Sequence, residues 1–465
     1  MQLRKARLAT ALTLAIAVSG ALTACGGDGD ETASPPAGSP TVNDADTSAT
    51  DGDDAGASAD DGAASTATAW FLTGEPKESL WGASIDTWNQ ANPNQSIAYE
   101  AYANDAYKEK IRTAVGSGSA PTMILNWGAG GTLQEYVASD KVVDLTGRVD
   151  DALSRVLPSV ADAGKIDGVQ YAVPNADSQP VILYYNKELF EQAGIEVPIT
   201  WDELLASIPK FKDIGVAPFG IAGQSKWPDL MWLEYLADRV GGPETFNAVV
   251  RGEENAWSSP EMLQALTYIQ DFVEADGFID NFASITTDSN ADAALLYTGK
   301  VAMLLQGSWV YGTVKNEAPD FITSGKLGTF PFPTVPGGKG DIANIAGNTS
   351  NYWSVYADST TTDQDAAVGY LNAESYTDTF VDALIDGGAL PPVVGIEDKL
   401  AASPDADFLT QAYDLVKNAP NFQLSWDQAL GSVAAQELLT NLDQIFLGQI
   451  TPEQFADNMN ATIGQ

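Results

Sequence analysis

Apolar positions along this chain fall into short runs whose period switches between two and three-to-four residues. Residues 67–73 (ATAWFLT) form an almost continuous apolar run of strand length, and residues 96–102 alternate as a second strand would. Between them a helix is predicted over 77–92, after the loop Gly74-Glu75-Pro76. Asn104 and Asp105 stand where they could cap a helix reaching about residue 117. Residues 121–125 (PTMIL) make a third strand, followed by the glycine-rich stretch 126–131 and another helix. Strands alternating with helices call for an α/β fold with a parallel, doubly wound sheet. In such sheets ligands sit outside the carboxyl ends of the strands, which puts Glu75, Asn104, Asp105 and Trp127 along one rim.

The middle of the chain is patterned more tightly. Residues 168–205 predict a short strand stopped by Pro174, a polar loop over 175–179, and a buried strand over 180–185. A short helix then ends at Gly194, and Thr200 with Glu203 makes a capping box opening the next helix. Residues 216–221 form a strand leading to the Gly/Ser/Pro loop around Trp227. Helices follow near 230–239, 244–250, 260–275 and 292–297. Further strands are expected at 327–330, 342–346 and 352–356, and the remainder is helical.

Composition narrows the chemistry. Sixty-three acids oppose 23 bases, a net charge of −40 that repels nucleic acid and disfavours an anionic ligand. There is no histidine, hence no histidine base or imidazole metal ligand. The one cysteine, Cys25, leaves no intrachain disulfide or thiolate zinc site. No metal and no cofactor are expected.

The amino terminus carries Arg4, Lys5 and Arg7 before an apolar run over 8–24, too short to span a bilayer, as in a secretory signal. Leu22-Thr23-Ala24-Cys25 matches the bacterial lipobox, so 1–24 is expected to be a lipoprotein signal peptide and Cys25 the lipidated residue. Two acyl chains suffice for stable anchoring on the outer face of the cell membrane. Residues 26–66 are low in complexity and acidic without a base, and 25–66 is expected to be a disordered tether.

Three motifs in order carry a resemblance. G-V-Q-Y-A-V-P at 168–174, Y-Y-N-K-E-L-F-E-Q-A-G-I at 184–195 and P-I-T-W-D-E-L at 198–204 resemble the signature of the family 1 extracellular solute-binding proteins of ABC importers, the group that includes maltodextrin-binding proteins. Residues 299–309, ending in Gly307-Ser308-Trp309, are similar to the family's second signature. The resemblance implies a periplasmic-binding-protein-like fold, with two α/β lobes joined by crossing hinge segments around a ligand cleft. It places the first lobe at 67–177 plus 328–346 and the second at 178–327 plus 347–465, with crossings near 176–180, 328–333 and 346–348. It also implies an ABC permease as partner and a monomeric, non-enzymatic binding role.

Sugar rings stack their apolar faces on indoles, and their hydroxyls require amides and carboxylates of fixed geometry. The chain pairs the two repeatedly, with eleven tryptophans, several at strand ends. Trp127, Trp227, Trp309 and Trp426 are therefore candidate stacking residues, whereas Trp70, Trp88, Trp201, Trp232 and Trp353 suit the core. Glu75, Asn104, Asp105, Gln179, Asn348 and Asp427 are candidate hydrogen-bonding residues; Asp105 serves equally as a helix cap. Asp177 is a weaker candidate in the first crossing. The expected ligand is a neutral di- or oligosaccharide of xylobiose or cellobiose type. A secreted glycoside hydrolase using paired carboxylates, or a carbohydrate-binding surface protein without transport, would use the same residue types.

Overall fold

The computed structural model describes residues 64–128 and 130–463, so the signal segment, Cys25 and nearly all of the acidic tether lie outside the described residues. In chain order the strands of the two main sheets are β1 (Ala67–Leu72), β2 (Ile97–Tyr102), β3 (Met123–Asn126), β4 (Val173–Pro174), β5 (Gln179–Asn186), β6 (Ala217–Gly220), β7 (Val301–Gly307), β8 (Leu327–Phe330), β9 (Ile345–Asn348), β10 (Tyr352–Val355) and β11 (Phe422–Leu424). The helices that matter for the site are α1 (Lys77–Ala91), α2 (Asn104–Ser117), α3 (Gly131–Ala138), α4 (Trp201–Asp213), α5 (Trp227–Gly241), α6 (Trp309–Glu317), α7 (Thr361–Glu374), α8 (Trp426–Ala429) and α9 (Ser432–Phe446).

Two sheets organise the chain. The first runs β2-β1-β3-β10-β4, with β1 parallel to β2 and β3, and β10 antiparallel to β3 and β4. Its core joins β1, α1 and β10 through Phe71, Trp81 and Trp353, whose ring centroids stand 5.3 to 6.4 Å apart. Each such pair adds about 0.5–1.5 kcal/mol beyond the area it buries. The second sheet runs β11-β9-β5-β7-β6, with β8 on the free edge of β5. Trp201 at the start of α4 and Trp232 on α5 pack there among Phe272 and Phe332. The capping box predicted at Thr200 and Glu203 is present and opens α4.

Two expectations of chain order are corrected. Segment 328–346 was assigned to the first lobe, yet Phe330 of β8 pairs opposite Leu183 of β5 and Ala346 of β9 opposite Gln423 of β11, both in the second sheet. The reason is the length of β5: its eight residues offer one edge to two short strands, and Pro331, Pro333 and Pro336 interrupt pairing between them. The strand that returns to the first sheet is β10. Conversely, α7 was assigned to the second lobe but packs on α1, β1 and β10 of the first.

The chain passes between sheets at 175–178 and again at 349–351, just beyond the expected 346–348; at 328–333 it does not cross. These passages are bonded to one another. The Asn175 N–H donates to Asn351 O at 2.8 Å, Ser178 Oγ to Thr349 O at 3.0 Å, and the Gln179 amide to Asn351 Oδ1 at 2.7 Å. A third passage joins them where the Ser178 N–H donates to Leu390 O at 2.8 Å.

The start of the described chain is tied down as well. Ser65 and Thr66, placed in the tether by composition, are bound to Asp363 on α7. Asp363 Oδ1 accepts from Ser65 Oγ at 3.0 Å and the Thr66 N–H at 2.6 Å, and Oδ2 accepts from Thr360 Oγ1 at 2.7 Å. Burial pushes its carboxyl up, but these hydrogen bonds outweigh burial and hold it below its usual value. Stabilisation from a lowered pKa is complete above the unfolded value and fades as pH falls through the folded one. Asp363→Ala should therefore cost about 1–3 kcal/mol in denaturant unfolding at pH 7. The gap from wild type should hold down to about pH 4 and then narrow; equal stabilities at pH 7 would refute this role.

Candidate functional site

The carboxyl ends of β1 and β3, the amino ends of α2, α5 and α6, and the crossing segments enclose a cavity of about 200 Å³, open to solvent. Glu75, Asn104, Trp127, Gln179, Trp227, Trp309, Asn348, Asp427 and the weaker candidate Asp177 all line it.

The three lining candidate tryptophans share a property that separates them from the core set. Trp127, Trp227 and Trp309 are half-buried, whereas Trp88, Trp201, Trp232 and Trp353 are buried. Trp227 and Trp309 stand with ring centroids 5.9 Å apart, tilted by 57°, which makes an angled wall. Trp127 meets Tyr107 edge-on, and the ammonium of Lys108 lies 5.1 Å from its ring centroid. Trp70, expected in the core, is only partly buried and lies beneath Lys110.

Two candidates are placed differently from expectation. Trp426 does not line the cavity: it is 1% exposed and stacked on Phe246 at 4.0 Å and 2°. Its position at the start of α8 turns the indole into the second core, while the next residue, Asp427, faces the cleft. Asp105 is absent from the lining and is not the cap of α2, a position held by Ala103. Its Oδ1 instead accepts the Trp227 indole N–H at 3.2 Å, across the cleft, and so orients that ring.

The polar groups are arranged in pairs. Lys77 Nζ lies 3.2 Å from Asp177 Oδ1, and Lys108 Nζ 3.1 Å from Asp427 Oδ2. These two lysines are the bases among the described lining residues, and each is matched by a carboxylate. Gln428 donates to Asp427 Oδ2 at 2.8 Å. Glu75, though exposed, accepts from Ser79. Burial, and then the charge of Asp105, raise the Asp288 carboxyl above its usual value. Asn348 is 9% exposed and its Oδ1 has no protein partner, which leaves a fixed acceptor on the cavity wall.

Sequence reasoning missed Lys77, Lys108 and Asp288. Lys108 had a usable signal, since it lies four residues after Asn104 and shares its helix face. Asp288 sits in an irregular loop between helices, where no periodicity points to it.

Along one edge the lobes meet directly. Helices α2 and α9 begin after Ala103 and Gly431, and neither has a side-chain cap of its own. Glu135 of α3 reaches over to accept the Ser432 N–H of α9 at 2.6 Å, and Asp288 Oδ1 lies 3.5 Å from the Asp105 N–H of α2. Each lobe thus supplies a carboxylate to an open helix start on the other. The approach is possible because Gly130 and Gly131 carry no Cβ: one at Gly130 would stand 1.7 Å from Gln428 O, and one at Gly131 2.2 Å from the carbonyl carbon of Leu430.

Known proteins resemble this chain in sequence and fold. Residues 73–384 match the family model described as bacterial extracellular solute-binding protein. An uncharacterised ABC transporter extracellular-binding protein of Pyrococcus horikoshii is 28% identical over 208 residues, covering 44% of this chain and 46% of its own. A multiple sugar-binding protein of Streptococcus mutans is 26% identical over 237 residues, covering 50% and 54%. The chain spans about half the length of the curated relatives it matches. A structure from work on xylan utilization by the thermophilic bacterium Caldanaerobius polysaccharolyticus is 31% identical, with a TM-score of 0.76 over 85% of this chain and 100% of that one. A chitin oligosaccharide binding protein shares the fold at 21% identity, with a TM-score of 0.74 over 85% and 98%. By sequence match over most of its length and by its two-lobed α/β architecture, the chain belongs to the bacterial extracellular solute-binding protein family.

Proposed function

We propose that this protein is the lipid-anchored binding component of an ABC sugar importer, which captures a neutral di- or oligosaccharide between its lobes and delivers it to the permease. The observation that carries the reading is the cleft itself. Three half-buried indoles face a cavity in which Asn348 Oδ1 has no protein partner while both lysines are already paired. Indole faces suit sugar rings, fixed amides suit hydroxyls, and neutralised cations offer little to an acidic ligand. A xylobiose- or cellobiose-type ligand is favoured by likeness to the protein from the xylan-utilization work. Closure would bring Gln179 and Asn348, which flank the passages between lobes, against the bound sugar.

Calorimetry against xylo-, cello- and malto-oligosaccharides tests the reading: at least one series should bind without turnover, and release of reducing ends would favour a hydrolase. Trp309→Ala should weaken that binding by about 1–3 kcal/mol, the scale of a lost stacking contact. Unchanged affinity would remove Trp309 from the site. Glu135 lies outside the cavity, so Glu135→Ala tests closure separately. Loss of its contact to α9 should raise the ligand off-rate and cost about 0.5–2 kcal/mol of affinity, as for a lost helix cap. An off-rate equal to wild type would show that this contact does not hold the lobes together. Cys25→Ser should abolish incorporation of labelled palmitate and release the protein from the membrane fraction; retention of label would refute lipidation at Cys25.

A further inference from the structure

Glu234 lies on α5 behind the cleft, 1% exposed and absent from the cavity lining. Its Oε1 accepts the Trp426 N–H at 2.8 Å and stands 2.9 Å from the Ser425 hydroxyl, while Oε2 has no partner. The same hydroxyl is 3.1 Å from Asp427 Oδ1. A hydroxyl has one proton to give, so with both carboxylates ionised Ser425 could serve only one of the two oxygens that approach it. A protonated Glu234 resolves this: its O–H donates to Ser425, and Ser425 donates on to Asp427. Asp427 in turn holds Lys108 from α2 and the Gln428 amide, both on the cavity wall.

We propose that Glu234, as a buried neutral acid, is a positioning residue for the ligand site, fixing the 425–428 turn and through it Asp427 and Gln428. Burial drives its carboxyl up to about 8, with the charge of Asp427 adding to the rise. The titratable groups facing it are Asp427 and, on its own helix, Tyr235, whose hydroxyl donates to Val181 O at 2.6 Å. Lys108 stands behind Asp427 and pairs with it, 3.1 Å from its Oδ2. Above pH 8 an ionised Glu234 would oppose Asp427 and compete with it for the one Ser425 proton.

The proposal rests on the sugar-binding reading for its affinity test but not for its structural one. In unliganded crystals, Glu234→Ala should displace the 425–428 turn, and Glu234→Gln, neutral and able to accept from Trp426, should leave it in place. With the sugar found by calorimetry, Glu234→Ala should bind roughly tenfold or more weakly, on the scale of orphaning a buried N–H. Glu234→Gln should stay within about threefold of wild type. Wild-type affinity should fall above pH 8 while that of Glu234→Gln stays level, a difference that a purely structural role would not produce. An undisplaced turn or wild-type affinity in Glu234→Ala overturns the proposal. Should that variant fail to fold, the same fall above pH 8 in Glu234→Gln as in wild type overturns it. If wild type binds no sugar, the proposed function fails, and the crystal comparison still decides the role of Glu234.

Discussion

The bonded crossings between the sheets are the constraint on which the rest depends. Ser178 and Gln179 are buried where two lobes meet, and polar groups there must find partners within the protein. They find them on the other passages, Thr349, Asn351 and Leu390. A hydrogen bond of this kind contributes about 0.5–1.5 kcal/mol, but orphaning a buried partner costs about 1–3. A relative movement of the lobes that kept these bonds would therefore be favoured over one that broke them. Gly347 belongs to the same constraint. Its φ is +140°, and a Cβ there would stand 2.2 Å from Gln179 O, so a side chain would force β9 away from β5 at the hinge.

The opposite edge of the cleft obeys a weaker rule. The helix starts of α2 and α9 present backbone N–H groups that their own segments leave uncapped, and each finds a carboxylate on the facing lobe. Such contacts are partly solvated and worth about 1 kcal/mol each. That is strong enough to bias an approach of the lobes and weak enough to yield. Strong buried bonds at the hinge and modest capping bonds at the edge divide the mechanical work between them. Asp105, by orienting the Trp227 ring across the same edge, links lobe approach to the shape of the stacking wall.

Much of this was legible in the sequence, for identifiable reasons. Strands β1, β3 and β5 are carried by local apolar runs, and the helix opened by Thr200 and Glu203 by a local cap, so neighbours in sequence sufficed. Nine of the ten ligand candidates either line the cavity or, for Asp105, hold a lining residue, because strand ends in an α/β sheet converge on one rim. Trp426 was misplaced because position at a helix start does not say which way an indole turns; Phe246, 180 residues upstream in sequence, decided it. The destination of 327–346 was hidden for a similar reason. Both sheets offered an edge, and only the unusual length of β5 settled which would be used. Lys108, Asp288 and Glu234 act through partners hundreds or tens of residues away, which no local period encodes.

Charge ties these levels together. A chain carrying −40 presents a field that would draw cations into any acidic cleft, and this cleft contains several carboxylates. Lys77 and Lys108 offset two of them, and Glu234, kept neutral by burial, adds no charge behind Asp427. Beside the carboxylates the cavity wall carries indole faces and the uncharged amides of Asn104, Asn348 and Gln428. Local pairing thus offsets Asp177 and Asp427, while Glu75 and Asp288 keep the cleft acidic. The same pairing meets Glu234 at the Ser425 hydroxyl, where burial first, and then the charge of Asp427, raise the Glu234 carboxyl while Lys108 offsets Asp427 from the cavity side.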